Sequence, residues 1–208
     1  MLVSADELGL NQSVETILRG ELVAFPTDTY FALGANGLNP RAIEAVFRTK
    51  GRNPGTPVPL LISDINMVGN LASEFPSSLK KLAKEFWPGA LTVVLPAAEI
   101  VPSVVSAGSG TVGLRIPDNN IAKELIQRSG VPITGTSCNL TGHDPIKDAS
   151  EIDQIFGGLI AVCLDSECGN STAPSTVVAY ENKKIILLRT GAISAESIQN
   201  IVGDIVVK

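Results

Sequence analysis

The chain has 208 residues, 44% of them hydrophobic and 18% charged, enough apolar material for one sizeable core and too much for a disordered tail. Its net charge of −5 weighs against a protein that lives by contacts to nucleic-acid phosphates, while leaving room for a local basic pocket. No apolar run reaches the roughly 18 residues of a membrane span. Met1 to Leu10 carries Asp6 and Glu7 without a basic residue, unlike a signal peptide. Three cysteines and the single His143 fit no zinc spacing. The expectation is a cytoplasmic protein with reduced thiols and no membrane partner.

In chain order, Leu22 to Phe25 reads as a strand. Asn39-Pro40 starts a helix, with Asn as the cap and Pro in the first turn. Ile43, Val46 and Phe47 form its apolar face, and it ends near Lys50-Gly51. Val58 to Ile62 is a second strand. Ser77 or Ser78 opens a helix that turns Leu79, Leu82 and Phe86 inward. Leu91 to Leu95 and Thr111 to Ile116 are strands. Ile121, Leu125 and Ile126 mark a helix that Gly130 should end. Ile133 to Thr136 reads as one short strand. Asp148 with Glu151 resembles a capping box before Ile152, Ile155 and Phe156. Leu159 to Leu164 is a strand. Thr176 to Tyr180 and Ile185 to Leu188 should pair antiparallel around Glu181-Asn182. A last helix spans about Ala195 to Val202, capped by Ser194. Strands alternating with helices, with one hairpin among them, predict an α/β fold with a mixed sheet.

Two motifs fail on context. Gly108-Ser109-Gly110-Thr111-Val112-Gly113 matches the dinucleotide fingerprint by letter, but it leads into a strand rather than a helix. Gly135-Thr136-Ser137-Cys138-Asn139 lacks the closing glycine of a nucleophile elbow. There is no Walker A motif either.

What remains is hydroxyls and cations beside strand ends. Thr27 and Thr29 follow the first strand. Lys50 and Arg52 flank Gly51, which lets the chain bend so that both face one anion. Ser137 and Asn139 sit at i and i+2 of an extended loop and point the same way. Thr111 and Arg115 share a strand face, and Ser175, Thr176 and Arg189 lie near other strand ends. Taken singly, each has an ordinary reading as a turn, a cap or a solvated face. Four cations, Lys50, Arg52, Arg115 and Arg189, in otherwise apolar segments of an acidic chain together imply an anionic small ligand.

Read in order, the segments resemble the YrdC/TsaC family. They are Pro26-Thr27-Asp28-Thr29, Lys50-Gly51-Arg52, Phe86 to Thr92, Val112 to Pro117, Ser137 to Gly142, Pro174 to Val178 and Leu188 to Ile193. The resemblance spans about Leu22 to Ser194. It implies a YrdC-like α/β fold: a twisted mixed β-sheet flanked by helices around a positively charged cavity. It also implies a single domain over residues 1–208, core about 10–195, of the short form with a C-terminal helix and tail. The implied enzyme is a nucleotidyltransferase, a threonylcarbamoyl-AMP synthase. It converts L-threonine, bicarbonate and ATP into the adenylate and pyrophosphate, and a tRNA-modifying transferase complex receives the product. Mg²⁺ is expected with ATP, held by phosphates and water rather than dedicated protein ligands.

On this resemblance, Lys50, Arg52, Ser137 and Asn139 are the expected catalytic residues. With Thr111 and Arg189 they form the ATP site. Thr27, Thr29, Tyr30, Arg115 and Ser175 are the threonine site. One departure stands out: where the family often has Val-Tyr-Gly after Thr-Asp-Thr, this chain has Tyr30-Phe31-Ala32, so the usual hydroxyl is missing at Phe31. Substitution of Lys50 or Arg52 is expected to remove activity and leave the fold intact. The rival expectations are a YrdC-fold RNA-binding protein without synthase activity, or a carbamoyl-phosphate-handling module.

Overall fold

The computed structural model describes residues 1–207. The first half contains β1 (Leu2–Ser4), α1 (Glu7–Leu18), β2 (Val23–Phe25), β3 (Ala32–Gly34), α2 (Pro40–Lys50), β4 (Leu60–Leu61), α3 (Val68–Leu71), α4 (Ser77–Phe86) and β5 (Leu91–Pro96). The second contains α5 (Ser103–Ser106), β6 (Thr111–Arg115), α6 (Asn120–Ser129), β7 (Ile133–Thr134), β8 (Thr136–Ser137), α7 (Ala149–Phe156), β9 (Val162–Asp165), β10 (Thr176–Glu181), β11 (Lys184–Arg189), α8 (Ala195–Val202) and β12 (Ile205–Val207).

Local chemistry sets many of these limits. Asn39 accepts from the amides of Arg41 and Ala42, and Pro40 fills the first helical position of α2. Gly51, at φ 58°, closes that helix: its amide reaches Arg48 O and the Arg52 amide reaches Phe47 O, the paired bonds of a Schellman end. Gly130 ends α6 at φ 66°, and Ser194 caps α8 through the Ser197 amide. Asp148 caps α7 through the Ser150 amide. Asn182 and Lys183, at φ 50° and 63°, form the two-residue turn of the expected β10–β11 hairpin.

The strands are mixed in direction, as expected, but they divide into two sheets, ordered β1-β9-β2-β3-β8 and β12-β11-β10-β5-β6-β4-β7. The division happens inside the run read as one strand. Ile133 and Thr134 pair with β4, whereas Thr136 and Ser137 pair with β3. Gly135 between them donates to Pro59 O, and a Cβ there would lie 2.6 Å from Leu61 Cγ. Only a residue without a side chain fits this crossing from one sheet to the other. The C-terminal segment also joins the seven-stranded sheet, with β12 parallel to β11.

Three buried clusters pack around the sheets. Leu79, Leu82 and Ile198 meet Leu91, Val93, Leu95, Val112 and Leu114 on one face of the larger sheet. Alternate residues of the same strands point to its other face, as the two-residue period requires. Those are Thr92 and Val94 on β5 and Thr111, Gly113 and Arg115 on β6, and they form the floor of a cavity between the sheets.

Candidate active site

The cavity measures about 380 Å³, within the range of small-ligand sites. The smaller sheet contributes Thr27, Thr29 and Tyr30 from the β2–β3 turn and Thr136 and Ser137 from β8. The larger sheet contributes Thr92, Thr111, Arg115 and Arg189, with Ser175 just before β10. Arg52 enters from the segment after α2. Its charged lining residues are these three arginines; no carboxylate is among them.

Each guanidinium is aimed by neutral groups. Arg52 donates from Nη1 to Thr136 Oγ1 at 3.0 Å and from Nη2 to Pro57 O at 2.7 Å, while its buried Nε has no partner among the described residues. Arg189 donates to Ser175 O (Nε at 3.1 Å, Nη2 at 2.8 Å) and from Nη2 to Ser175 Oγ at 2.9 Å; that hydroxyl also meets Thr92 Oγ1 at 2.9 Å. Neither arginine has an acidic partner among the described residues. Burial lowers the pKa of Arg52, and the charge of Arg189 adds to it; burial followed by Arg115 does the same to Arg189. Guanidiniums that disfavour one another across a cavity without a counter-charge are chemically suited to an anionic ligand.

Arg115 differs. It is 6% exposed and pairs with Asp28 Oδ1 at 2.6 Å, donates from Nε to Gly89 O at 2.9 Å and lies 3.5 Å from Thr29 Oγ1. Thr27 Oγ1 and Thr29 Oγ1 are 3.0 Å apart, and Thr27 also takes the Thr29 amide. This arrangement presents hydroxyls beside a guanidinium that is already neutralised. Asp28→Asn keeps an acceptor but leaves the Arg115 charge unpaired. It should lower stability by about 2 kcal/mol, the worth of a charge-assisted bond, which thermal unfolding will read.

Of the eleven residues assigned to the expected catalytic, ATP and threonine sites, nine line this cavity; Lys50 and Asn139 do not. Of the pair expected to face one anion, Arg52 lines the cavity and Lys50 does not; beyond the left-handed turn at Gly51 the two take different partners. Arg52 reaches Thr136 in the cavity wall. Lys50, 3% exposed, runs behind it and donates to Ser137 O, to Asn139 O at 2.6 Å and to Asn139 Oδ1 at 3.1 Å. Burial lowers its pKa to about 8, with Arg52 pushing the same way and Cys138 opposing.

Asn139 completes a knot behind the wall. Its Oδ1 also accepts from Ser137 Oγ at 2.6 Å, and its Nδ2 donates to Leu140 O and His143 O. Ser137 and Asn139 do meet, as their spacing implied, but only Ser137 faces the cavity. Cys138 between them is fully buried, and burial with Cys163 nearby pushes its pKa up to about 12, so this thiol stays protonated.

The sequence reading missed Asp28, Thr92 and Thr136 as site groups. Thr92 was legible as the polar residue breaking the apolar alternation of Leu91, Val93 and Leu95. Asp28 and Thr136 carry no such signal, because their partners are 87 and 84 residues away in the chain.

A family model named Sua5_yciO_yrdC, with the description Telomere recombination, matches residues 15–191. The chain belongs to this family. It is 38% identical over 189 residues to the threonylcarbamoyl-AMP synthase of Pyrococcus abyssi (strain GE5 / Orsay), a match covering 91% of this chain and 56% of that protein. It is 36% identical over 206 residues to the threonylcarbamoyl-AMP synthase of Bacillus subtilis (strain 168), covering 96% and 60%. The structure of P. abyssi Sua5 complexed with L-threonine has the same fold, with a TM-score of 0.96 at 34% identity over all of this chain and 62% of that one. The chain therefore spans less than two thirds of the length of these relatives.

Proposed function

We propose that this site joins L-threonine, bicarbonate and ATP into threonylcarbamoyl-AMP and pyrophosphate, as a cytoplasmic nucleotidyltransferase serving tRNA threonylcarbamoyladenosine modification. The observation that carries this reading is the approach of Arg52, Arg115 and Arg189, from three separate segments, to one cavity that also carries the Thr27 and Thr29 hydroxyls. Two relatives bear the synthase name, and a related Sua5 structure was solved with L-threonine.

Threonine's amine adds carbon dioxide from bicarbonate to give a carbamate. A carbamate oxygen attacks the α-phosphorus of ATP, the bond to the bridging oxygen breaks, and pyrophosphate leaves with that electron pair. No group on the protein needs to become covalently bound. The protein orients the two anions and neutralises charge on the phosphates, which together are worth several kcal/mol. Arg52 and Arg189, with Thr111, face the phosphates in this assignment, and Ser137 the phosphate and carbonyl region. Thr27, Thr29, Tyr30 and Ser175 hold threonine beside Arg115. Lys50 and Asn139 support Ser137 from behind. The lining offers hydroxyls and guanidiniums and no carboxylate, which is consistent with Mg²⁺ arriving with ATP, held by phosphates and water. The adenylate then passes to a tRNA-modifying transferase complex.

The test is pyrophosphate release from MgATP. Release is expected to need threonine, bicarbonate and Mg²⁺ and to stop with a chelator. Turnover indifferent to threonine would refute this reading. Double-stranded RNA binding with a steep salt dependence in its place would favour the RNA-binding rival.

A further inference from the structure

One segment crosses between the two sheets at the cavity. β9 ends at Asp165 in the five-stranded sheet and β10 begins at Thr176 in the seven-stranded one. Residues 166–175 span the gap without regular structure, and they carry Pro174 and Ser175 into the cavity wall. The inner side of the crossing lies against the β2–β3 turn: the Gly169 amide donates to Thr27 O at 2.9 Å, and a Cβ on Gly169 would fall 2.3 Å from Asp28 O.

On its outer side the crossing is gathered by two side chains. Lys147 Nζ donates to Gly169 O at 3.2 Å and Ser171 O at 2.7 Å, and the same ammonium sits 5.4 Å from the centroid of the Tyr30 ring. Tyr30 Oη donates to Thr172 O at 2.8 Å. Three carbonyls of an irregular segment thus rely on one ammonium and one phenol, and the ammonium packs on the phenol's ring. Tyr30 lines the cavity; Lys147 does not.

We propose that Lys147 is a positioning residue: it latches the 166–175 crossing onto Tyr30 and so sets the affinity of the threonine end of the pocket. This rests on the function proposed above. A crossing held by few bonds opens at low cost. Without the latch, the part of the crossing around Gly169 to Thr172 and the Tyr30 ring against it must be ordered when the amino acid binds. That ordering weakens binding of the ligand without changing the reacting groups. The effect therefore belongs to KM for threonine and not to kcat.

Lys147→Met should raise KM for threonine about ten-fold, the loss expected when one charged donor goes. It should leave kcat and KM for ATP within about two-fold of the wild type. Lys147→Arg keeps a cation over the ring and donors for the carbonyls, and should restore KM for threonine. Amide exchange in residues 169–173 should be faster in Lys147→Met and normal in Lys147→Arg. An unchanged KM for threonine, an equal fall in kcat and kcat/KM, or unchanged exchange in that segment would each overturn the proposal. If the wild type shows no threonine-dependent turnover, the function proposed above fails by itself, and amide exchange alone decides the latch.

Discussion

Arg52→Ala should lower threonine-dependent pyrophosphate release by about 10²–10³-fold, the effect of removing one preorganised donor from a developing anionic charge. The residue is suited to that role because its guanidinium is aimed without being neutralised. Thr136 Oγ1 and Pro57 O take two of its N–H groups, and no carboxylate cancels its charge among the described residues. Both partners border the cavity, where water can replace the lost donor. Stability should therefore fall by only about 1 kcal/mol, a shift of about 2–4 °C for a chain of this size. Arg52→Lys should recover little, since one ammonium cannot span the fork between Thr136 and Pro57 and still face the ligand. Near-normal turnover in Arg52→Ala would remove Arg52 from the site.

Lys50→Met should behave differently, losing stability and activity together. Its ammonium supplies Ser137 O, Asn139 O and Asn139 Oδ1 in a buried place behind the wall. Removing it leaves Asn139 O without its donor and takes one of two donors from Ser137 O and Asn139 Oδ1, a loss of about 2–3 kcal/mol. The knot that holds Ser137 in the cavity wall goes with it. Urea unfolding and pyrophosphate release, measured on the same preparation, should fall together; a stable but inactive Lys50→Met would put the ammonium in contact with substrate after all.

The lysine also carries a pH signature. Its pKa is about 8 when folded against the ordinary 10.5. Between those values the unfolded chain holds a proton that the folded chain has released, so this group's contribution to stability rises with pH across that window. Below about pH 8 both states are protonated, and the full cost of burying the charge is present. The difference in unfolding free energy between the wild type and Lys50→Met should therefore widen in favour of the wild type from pH 8 to 10.5. A difference that stays flat over that range would show that burial does not disfavour the charged lysine.

Much of the fold was readable in advance because its signals are local. Asn39-Pro40 and Gly51 bracket α2, Gly130 stops α6, and Ser194 starts α8, all through chemistry contained in a few consecutive residues. The alternation on β6 likewise put Thr111 and Arg115 on one face, and both line the cavity. The N-terminal β1 and α1 were not read. β1 is three residues long, and it is a strand because it pairs with β9, about 160 residues further along.

The site divides the same way. Residue type and spacing determined which side chains to suspect and raised the expectation of an anionic ligand, because cations in apolar segments need a counter-charge wherever they end up. Tertiary structure alone decided where each cation points. The step at Gly135 places Thr136 and Ser137 in a different sheet from Ile133, where Arg52 bonds Thr136 and Lys50 bonds Ser137 and Asn139. Nothing within a few residues of Gly51 encodes this. Apart from Pro57, which is local to Arg52, the partners that hold Lys50 and Arg52 are 84 to 89 residues away, and hydrogen bonds over such distances exist only once the sheets have assembled.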